Sequence, residues 1–166
     1  MKRLHLLPGT LCNEKLWQYI TPALSHDFEL VHCPIPNHQP FSEMAEYFQT
    51  ALLPAKSHER SSSAQEKLHL IGFSLGGYAA AYFATRFPDS IASLTVVSNS
   101  PTVLPEQEVK QRMAALEFVK KQGYKGSSKK RLGSLLAPQN RTEDNLALLR
   151  EMDKATGETG FLSQYE

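Results

Sequence analysis

The sequence contains few cysteines, which limits how the fold can be held together. Only Cys12 and Cys33 occur among 166 residues, too few for a disulfide framework or a cysteine-rich metal cluster. A chain of this length buries roughly 68–70% of its unfolded surface and needs neither device to form a core. We therefore predict one ordinary domain with two buried free thiols and no metal site.

The chain also lacks an excess of charge of one sign and any long apolar run. Its 18 basic and 17 acidic residues give a formal net charge of +1, whereas nucleic acids and acidic membranes usually attract a marked basic excess. No run approaches the roughly 18 apolar residues that would span a bilayer, and Pro8 and Gly9 interrupt the short apolar stretch near the N-terminus. We expect no nucleic-acid partner, no membrane association and a cytoplasmic location.

The first hundred residues alternate short apolar runs with helical patterns, which is typical of a sheet with crossover helices. A helix with Ser42 as its cap carries apolar residues at helical spacing, namely Met44, Tyr47, Phe48, Ala51 and Leu52. The pattern predicts an α/β fold over residues 1–101, a mostly parallel sheet with flanking helices. The four predicted strands span residues 3–7, 28–32, 67–72 and 91–98.

The remaining residues, 102–166, contain no strand-like run and predict a helical cap. Pro105 suits the first turn of one helix and Gly123 can end it, with acidic residues in its first turn and lysines in its last. A second helix starts at Thr142 and stops near Gly157, and a third starts at about Gly160.

Two segments have unusual compositions. Residues 54–66 have no periodic apolar position, which predicts a surface loop. Residues 120–131 contain six basic residues and no acid. The basic segment is interpreted either as a solvated cap surface or as a docking site for an anionic substrate tail.

The most specific motif surrounds Ser74, between a predicted strand and a helical run: Gly72-Phe73-Ser74-Leu75-Gly76-Gly77. A serine on so tight a strand-to-helix turn adopts a strained backbone, and the nearby glycines remove side chains that would collide with strand and helix. The turn raises the serine hydroxyl above the sheet, at the positive end of a helix. The spacing predicts a nucleophile elbow.

A second motif, Pro8-Gly9-Thr10-Leu11, follows the first predicted strand. Acyl transfer needs two main-chain N–H groups aimed at the developing oxyanion, one after the nucleophile and one from the loop after a neighbouring strand. Leu75 and Thr10 fit these two roles, with Leu11 as the alternative loop donor.

In this order the strand, loop, elbow and helical region resemble the α/β-hydrolase family, specifically an esterase-type member with a helical cap. The resemblance implies a Ser–His–Asp/Glu triad, no cofactor, and a pocket for a small acyl substrate between cap and sheet. It implies hydrolysis of a carboxylic ester or thioester through Ser74; lyase or acyltransferase chemistry on the same scaffold is the alternative. Trp17 either lines this pocket or packs in the core.

One expected component is missing, because all six histidines precede Ser74 and Asn99 stands where some members place their acid. A serine without its base is a poor nucleophile at neutral pH. The chain is therefore interpreted as a C-terminally incomplete hydrolase, inactive alone and self-associating through an exposed sheet edge. A short, inactive binding or interaction protein, and a base from an upstream histidine or a second chain, remain open.

Overall fold

Each apolar run predicted to be a strand forms one in the computed structural model of the chain. The strands are β1 (Lys2–Leu7), β2 (Phe28–His32), β3 (Leu68–Phe73) and β4 (Ile91–Val97). They form one parallel four-stranded sheet in the order β2-β1-β3-β4. Since β1 and β3 are central, apolar residues of both strands pack on the two faces of the sheet. The predicted α/β class is confirmed.

The structure describes residues 1–37, 39–53, 67–99 and 102–165. The surface loop predicted at residues 54–66, together with His38 and His58, lies outside these ranges. None of the described helices has both the length and the apolar character that crossing a bilayer requires. The helices are α1 (Thr21–Leu24), α2 (Met44–Leu52), α3 (Leu75–Arg86), α4 (Glu106–Gln122), α5 (Lys129–Ser134) and α6 (Glu143–Tyr165).

The larger core cluster lies between one face of the sheet and helices α2 and α3. Leu7 and Leu70 from the strands meet Phe48 and Phe83 from the helices, and all four are at most 1% exposed. Burying each such side chain contributes about 1.5–3 kcal/mol. The opposite face of the sheet carries a smaller cluster built on Leu4, Leu6 and Trp17.

The start of α2 differs from the prediction. Ser42 lies inside a 3-10 turn (Phe41–Glu43), and Glu43 precedes α2 without a side-chain cap. Because Glu43 already has near-helical angles (φ −96°, ψ −2°), the chain enters α2 without the extended residue that side-chain capping uses. The predicted Ser42 cap is therefore wrong, and Ala51, assigned to the buried face, is exposed.

Helices α4 to α6 form the helical region predicted after residue 102. Gly123 ends α4 with φ 74°, and Gly157 interrupts α6 with φ 63°. Both positions match the predicted helix ends, because these left-handed angles are cheap only for glycine. Helix α5 was not predicted. Leu11, from the loop after β1, packs against Val119 of α4 and Phe161 of α6, joining the helical region to the sheet.

Candidate active site

Ser74 occupies the turn between β3 and α3 with a backbone that few residues adopt. Its angles are φ 51° and ψ −116°, a conformation that costs about 1–3 kcal/mol. Three hydrogen bonds to other main-chain groups hold it: its N–H donates to the Val97 carbonyl (2.9 Å), and its carbonyl accepts from the N–H groups of Gly77 (2.9 Å) and Tyr78 (3.1 Å). Within the described ranges its hydroxyl has no hydrogen-bond partner. The predicted strained turn is confirmed.

The glycines around Ser74 allow backbones to approach closely. A Cβ on Gly72 would lie 2.4 Å from the Gly76 carbonyl oxygen, and one on Gly76 would lie 2.2 Å from that of Leu7 and 2.5 Å from that of Pro8. Real Cβ atoms do not tolerate such distances from main-chain atoms. The first turn of α3 is therefore packed directly against the end of β1, as the motif spacing predicted.

The loop after β1 lies beside Ser74. A Cβ on Gly9 would be 3.3 Å from the Ser74 Cβ, so the next residue, Thr10, lies close to the elbow. The Leu11 N–H donates a 2.7 Å hydrogen bond to Oε1 of Gln164, and it is therefore not free to bind an oxyanion. The amides of Thr10 and Leu75 have no acceptor among the described residues.

Cys12 stabilises the same loop. Its thiol lies 3.4 Å from the Thr10 carbonyl oxygen, to which it donates. Burial raises the pKa of Cys12 to about 11, so the thiol keeps its proton at neutral pH. Burial likewise raises the pKa of Cys33 to about 12. Both cysteines are free thiols, Cys33 buried and Cys12 half-buried, and neither has the lowered pKa of a reactive cysteine.

Trp17 packs beneath the sheet. It is 6% exposed and belongs to the cluster of Leu4 and Leu6, with Phe73 packed against it. Of its two sequence-based interpretations, the structure therefore favours packing. Its Nε1 is buried and has no hydrogen-bond partner among the residues that the structure describes.

None of the described histidines contacts Ser74. The His5 ring lies 3.3 Å from the His69 carbonyl oxygen, and Nδ1 of His69 lies 2.7 Å from the Ser93 hydroxyl. His32 ends β2, two strands from β3, and burial lowers its pKa. His26 is exposed in the turn that precedes β2. The described part of the chain therefore brings no imidazole to the elbow, and no group of three potential metal ligands occurs there either.

Two further polar side chains have structural roles that the sequence did not reveal. Asn99 donates a 2.9 Å hydrogen bond from Nδ2 to the Ser74 carbonyl.

The buried Asp153 of α6 accepts hydrogen bonds from the Tyr124 hydroxyl and from both the N–H (2.9 Å) and the hydroxyl (2.9 Å) of Ser127. Asp153 therefore anchors the segment between α4 and α5 within the helical region rather than orienting a base at Ser74.

A cavity of about 400 Å³ lies among helices α4, α5 and α6, lined in part by Glu108, Arg112, Arg131 and Tyr165. The Arg112 guanidinium lies over the Tyr165 ring and pairs with Glu108 (2.8 Å), and Arg131 hydrogen-bonds to the Tyr165 hydroxyl. Ser74 does not line this cavity.

Curated esterases are among the relatives of this chain. Two curated relatives are pimeloyl-[acyl-carrier protein] methyl ester esterases. That of Aeromonas hydrophila is 34% identical over 105 residues, which are 62% of this chain and 40% of that protein. That of Sodalis glossinidius is 32% identical over 96 residues, 58% of this chain and 36% of that protein. The matched part of the chain thus spans about 40% of the length of the first of these relatives.

Solved structures share the fold at low sequence identity. A carboxylesterase structure from Nitrososphaera gargenis superposes with a TM-score of 0.76 at 19% identity, covering 99% of this chain and 62% of that chain. A thermophilic esterase from Thermogutta terrifontis gives a TM-score of 0.74 at 19% identity, and the match covers 100% of this chain and 64% of that chain. The family model described as the alpha/beta hydrolase fold matches residues 8–160. The chain therefore belongs to the α/β-hydrolase fold family.

Proposed function

We propose that Ser74 is the nucleophile of a hydrolase acting on a carboxylic ester or thioester. The observation that carries the proposal is the strained Ser74 turn beside the loop after β1, with a hydroxyl that has no hydrogen-bond partner among the described residues. Two main-chain amides have no acceptor among the described residues: that of Leu75, the residue after Ser74, and that of Thr10, which follows Gly9 in the loop beside Ser74. Such an arrangement suits acyl transfer, where charge develops on one oxygen.

In the proposed reaction the Ser74 oxygen attacks the acyl carbon and its proton passes to a general base. The Thr10 and Leu75 N–H groups stabilise the oxyanion of the tetrahedral intermediate, and the alcohol or thiol leaves as the acyl-enzyme forms. Water then releases the acid by the reverse sequence of proton transfers. Since no described histidine reaches Ser74, the proposed mechanism needs a base that these residues do not supply.

For the substrate, we propose a small acyl ester with an anionic tail. The two curated relatives are named for a methyl ester carried on an acyl-carrier protein, which supports an acyl ester that is joined to a carrier group. In the basic segment of residues 120–131, Lys125 and Lys130 are exposed, whereas Lys129 pairs with Glu143 (2.7 Å). Lys125 and Lys130 have no carboxylate partner among the described residues, and exposed lysines of this kind suit the docking of an anion.

Chemical rescue tests the proposal without assuming where the base comes from. Hydrolysis of p-nitrophenyl acetate is measured at increasing imidazole concentration for the chain and for Ser74→Ala. A positioned base contributes about 10²–10⁴-fold, so partial rescue by imidazole should make the chain at least about tenfold faster than Ser74→Ala. Equal rates for both proteins at every imidazole concentration would overturn the hydrolase proposal and favour the binding protein.

A further inference from the structure

The turn that carries Thr10 is tied to the last part of the cap. Leu11 N–H donates to Oε1 of Gln164 over 2.7 Å, although the two residues are 153 positions apart. The Leu11 side chain is 8% exposed and packs against Val119 and Phe161. Both the main chain and the side chain of Leu11 therefore contact the cap.

This turn is strained in a specific way. The Cys12 N–H donates to the Gly9 carbonyl (3.1 Å), which closes a four-residue turn. Leu11, in its third position, has φ 57°, whereas Thr10 has no positive φ. That is the pattern of a type II turn, which favours glycine or asparagine at its third position. A leucine in this region costs about 1–2 kcal/mol.

A type I turn is the less strained alternative for these four residues. It has negative φ at both central positions and differs from type II mainly by a flip of the peptide that joins them. Here that peptide links Thr10 to Leu11, and both of its polar groups are bound: Gln164 accepts from the Leu11 N–H, and the Cys12 thiol donates to the Thr10 carbonyl. A flip would break both contacts.

We propose that Gln164 is a positioning residue that holds the loop after β1 in its strained form. Its side-chain oxygen offsets the cost of the left-handed Leu11, and so keeps the neighbouring Thr10 amide beside Ser74. The part of α6 that carries Gln164 follows the break at Gly157. It is anchored by the stacking of Tyr165 on Phe161 (4.1 Å between ring centroids). The catalytic consequence rests on the proposed function, whereas the control of the turn does not.

The experiment measures the turn directly, by NMR of the chain and three variants. Gln164→Leu removes the acceptor with a side chain of similar size, and Gln164→Glu keeps an oxygen acceptor. Gln139→Leu is the control, because Gln139 is exposed and lies in the 3-10 turn Pro138–Asn140, distant in sequence from Leu11. The readouts are the backbone shifts that report the sign of φ at Leu11 and the exchange rates of amide hydrogens.

In Gln164→Leu we expect a negative φ at Leu11 and at least about tenfold faster exchange of its amide, the effect of losing one hydrogen bond. The amides of Val119 and Phe161 should change less than about twofold. Gln164→Glu should restore the native values, and Gln139→Leu should change neither. A retained positive φ with unchanged exchange would overturn the proposal. Equal loss of protection at Val119 and Phe161 would also overturn it, because Gln164 would then hold the cap rather than the turn.

The imidazole-dependent ester assay separates this inference from the proposed function. If both hold, Gln164→Leu lowers kcat and leaves KM unchanged, because the oxyanion forms only after substrate binds, and Gln164→Glu recovers kcat. If Leu11 flips but no protein hydrolyses ester, the proposed function fails and the positioning role stands. If Leu11 flips and kcat is unchanged, the link between Gln164 and catalysis is overturned.

Discussion

The side chain of Asn99 and the main chain of Ser74 are joined by a 2.9 Å hydrogen bond from Nδ2 to the carbonyl oxygen. Asn99 follows β4, and Val97 at the end of that strand accepts the N–H of Ser74 (2.9 Å). The end of β4 therefore binds both polar main-chain groups of Ser74. This pair of contacts stabilises a conformation that the serine would otherwise leave.

Substitution of Asn99 should lower the free energy of unfolding, and the loss should depend on the group that replaces the side-chain donor. Asn99→Ala removes one of three hydrogen bonds to the Ser74 carbonyl and should lower the free energy of unfolding by about 1 kcal/mol. Asn99→Asp places a carboxylate against the same carbonyl and should cost at least about 2 kcal/mol at neutral pH. Urea unfolding measures both values.

The pH dependence and a control test the cause. The loss of unfolding free energy in Asn99→Asp should become smaller below about pH 4, because the introduced carboxyl group is then protonated. Asn140→Asp makes the same charge change at an exposed residue and should be nearly neutral. An Asn99→Asp protein as stable as the unaltered chain at pH 7 would show that the Asn99 contact does not support the elbow.

Gly76 gives a second test of the packing at the elbow. In Gly76→Ala the new Cβ would lie 2.2 Å from the Leu7 carbonyl oxygen, and main chain on both sides prevents relief. We expect a loss of about 3 kcal/mol or more in the free energy of unfolding. Gly133→Ala is the matched control, because its nearest neighbour, a Leu146 methyl, is 4.0 Å away and helix propensity favours alanine by about 0.5–1 kcal/mol. Equal stabilities of these two variants in urea would contradict the packing argument.

Local patterns in the sequence were sufficient to predict the sheet and the elbow. The observed strand Phe28–His32 matches its prediction, and Ile91–Val97 differs by one residue. The strain at Ser74 and the break at Gly157 followed from glycine placement, since few other residues adopt such backbones. These features depend on neighbours in the chain, and are therefore visible without a structure.

The missed features depend on contacts between distant residues. Gln164 lies 153 positions from Leu11, and Asn99 lies 25 from Ser74, so no local pattern joins them. The error at Ser42 has a different and local cause: the 3-10 turn that follows Pro40 replaces the extended residue that side-chain capping needs. The roles of Ser74, Thr10 and Leu75 remain predictions until chemistry is measured.

The thiols should react slowly while the chain is folded. Burial raises the pKa of Cys12 to about 11 and that of Cys33 to about 12, whereas an unfolded thiol titrates near 8.5. At pH 8 the folded chain should react with Ellman's reagent at least about a hundredfold more slowly than the chain in urea. The variant Cys12→Ser retains Cys33, and its reaction rate therefore shows which rate belongs to which thiol. Equal rates in buffer and in urea would contradict the burial of these groups.

The same pKa shifts predict the direction of the alkaline stability change. Unfolded thiols lose their protons above about pH 8.5, before the folded ones do, so the unfolded state binds fewer protons. Stability should therefore fall as the pH rises above that value. Cys33→Ala, measured by urea unfolding between pH 7 and 10, should reduce this fall, and an unchanged slope would exclude Cys33 as its source.

Strand β4 should cause self-association. Among the described strands it pairs only with β3, so its other edge is unpaired, and Leu94, Val96 and Val97 are 36%, 40% and 40% exposed. An apolar strand with an open edge is a template for pairing with another chain. We expect the mass measured by light scattering to rise with protein concentration.

A lysine on the edge strand should prevent this pairing, because an ammonium group resists burial between two sheets. Val97→Lys should therefore keep the protein monomeric at concentrations where the unaltered chain associates. Val103→Lys makes the same change at a residue that is 93% exposed outside the strand, so it should leave association intact. If Val103→Lys gives the monomer and Val97→Lys does not, the chains associate through the surface around Val103, which precedes α4. Strand β4 would then not be the edge that pairs.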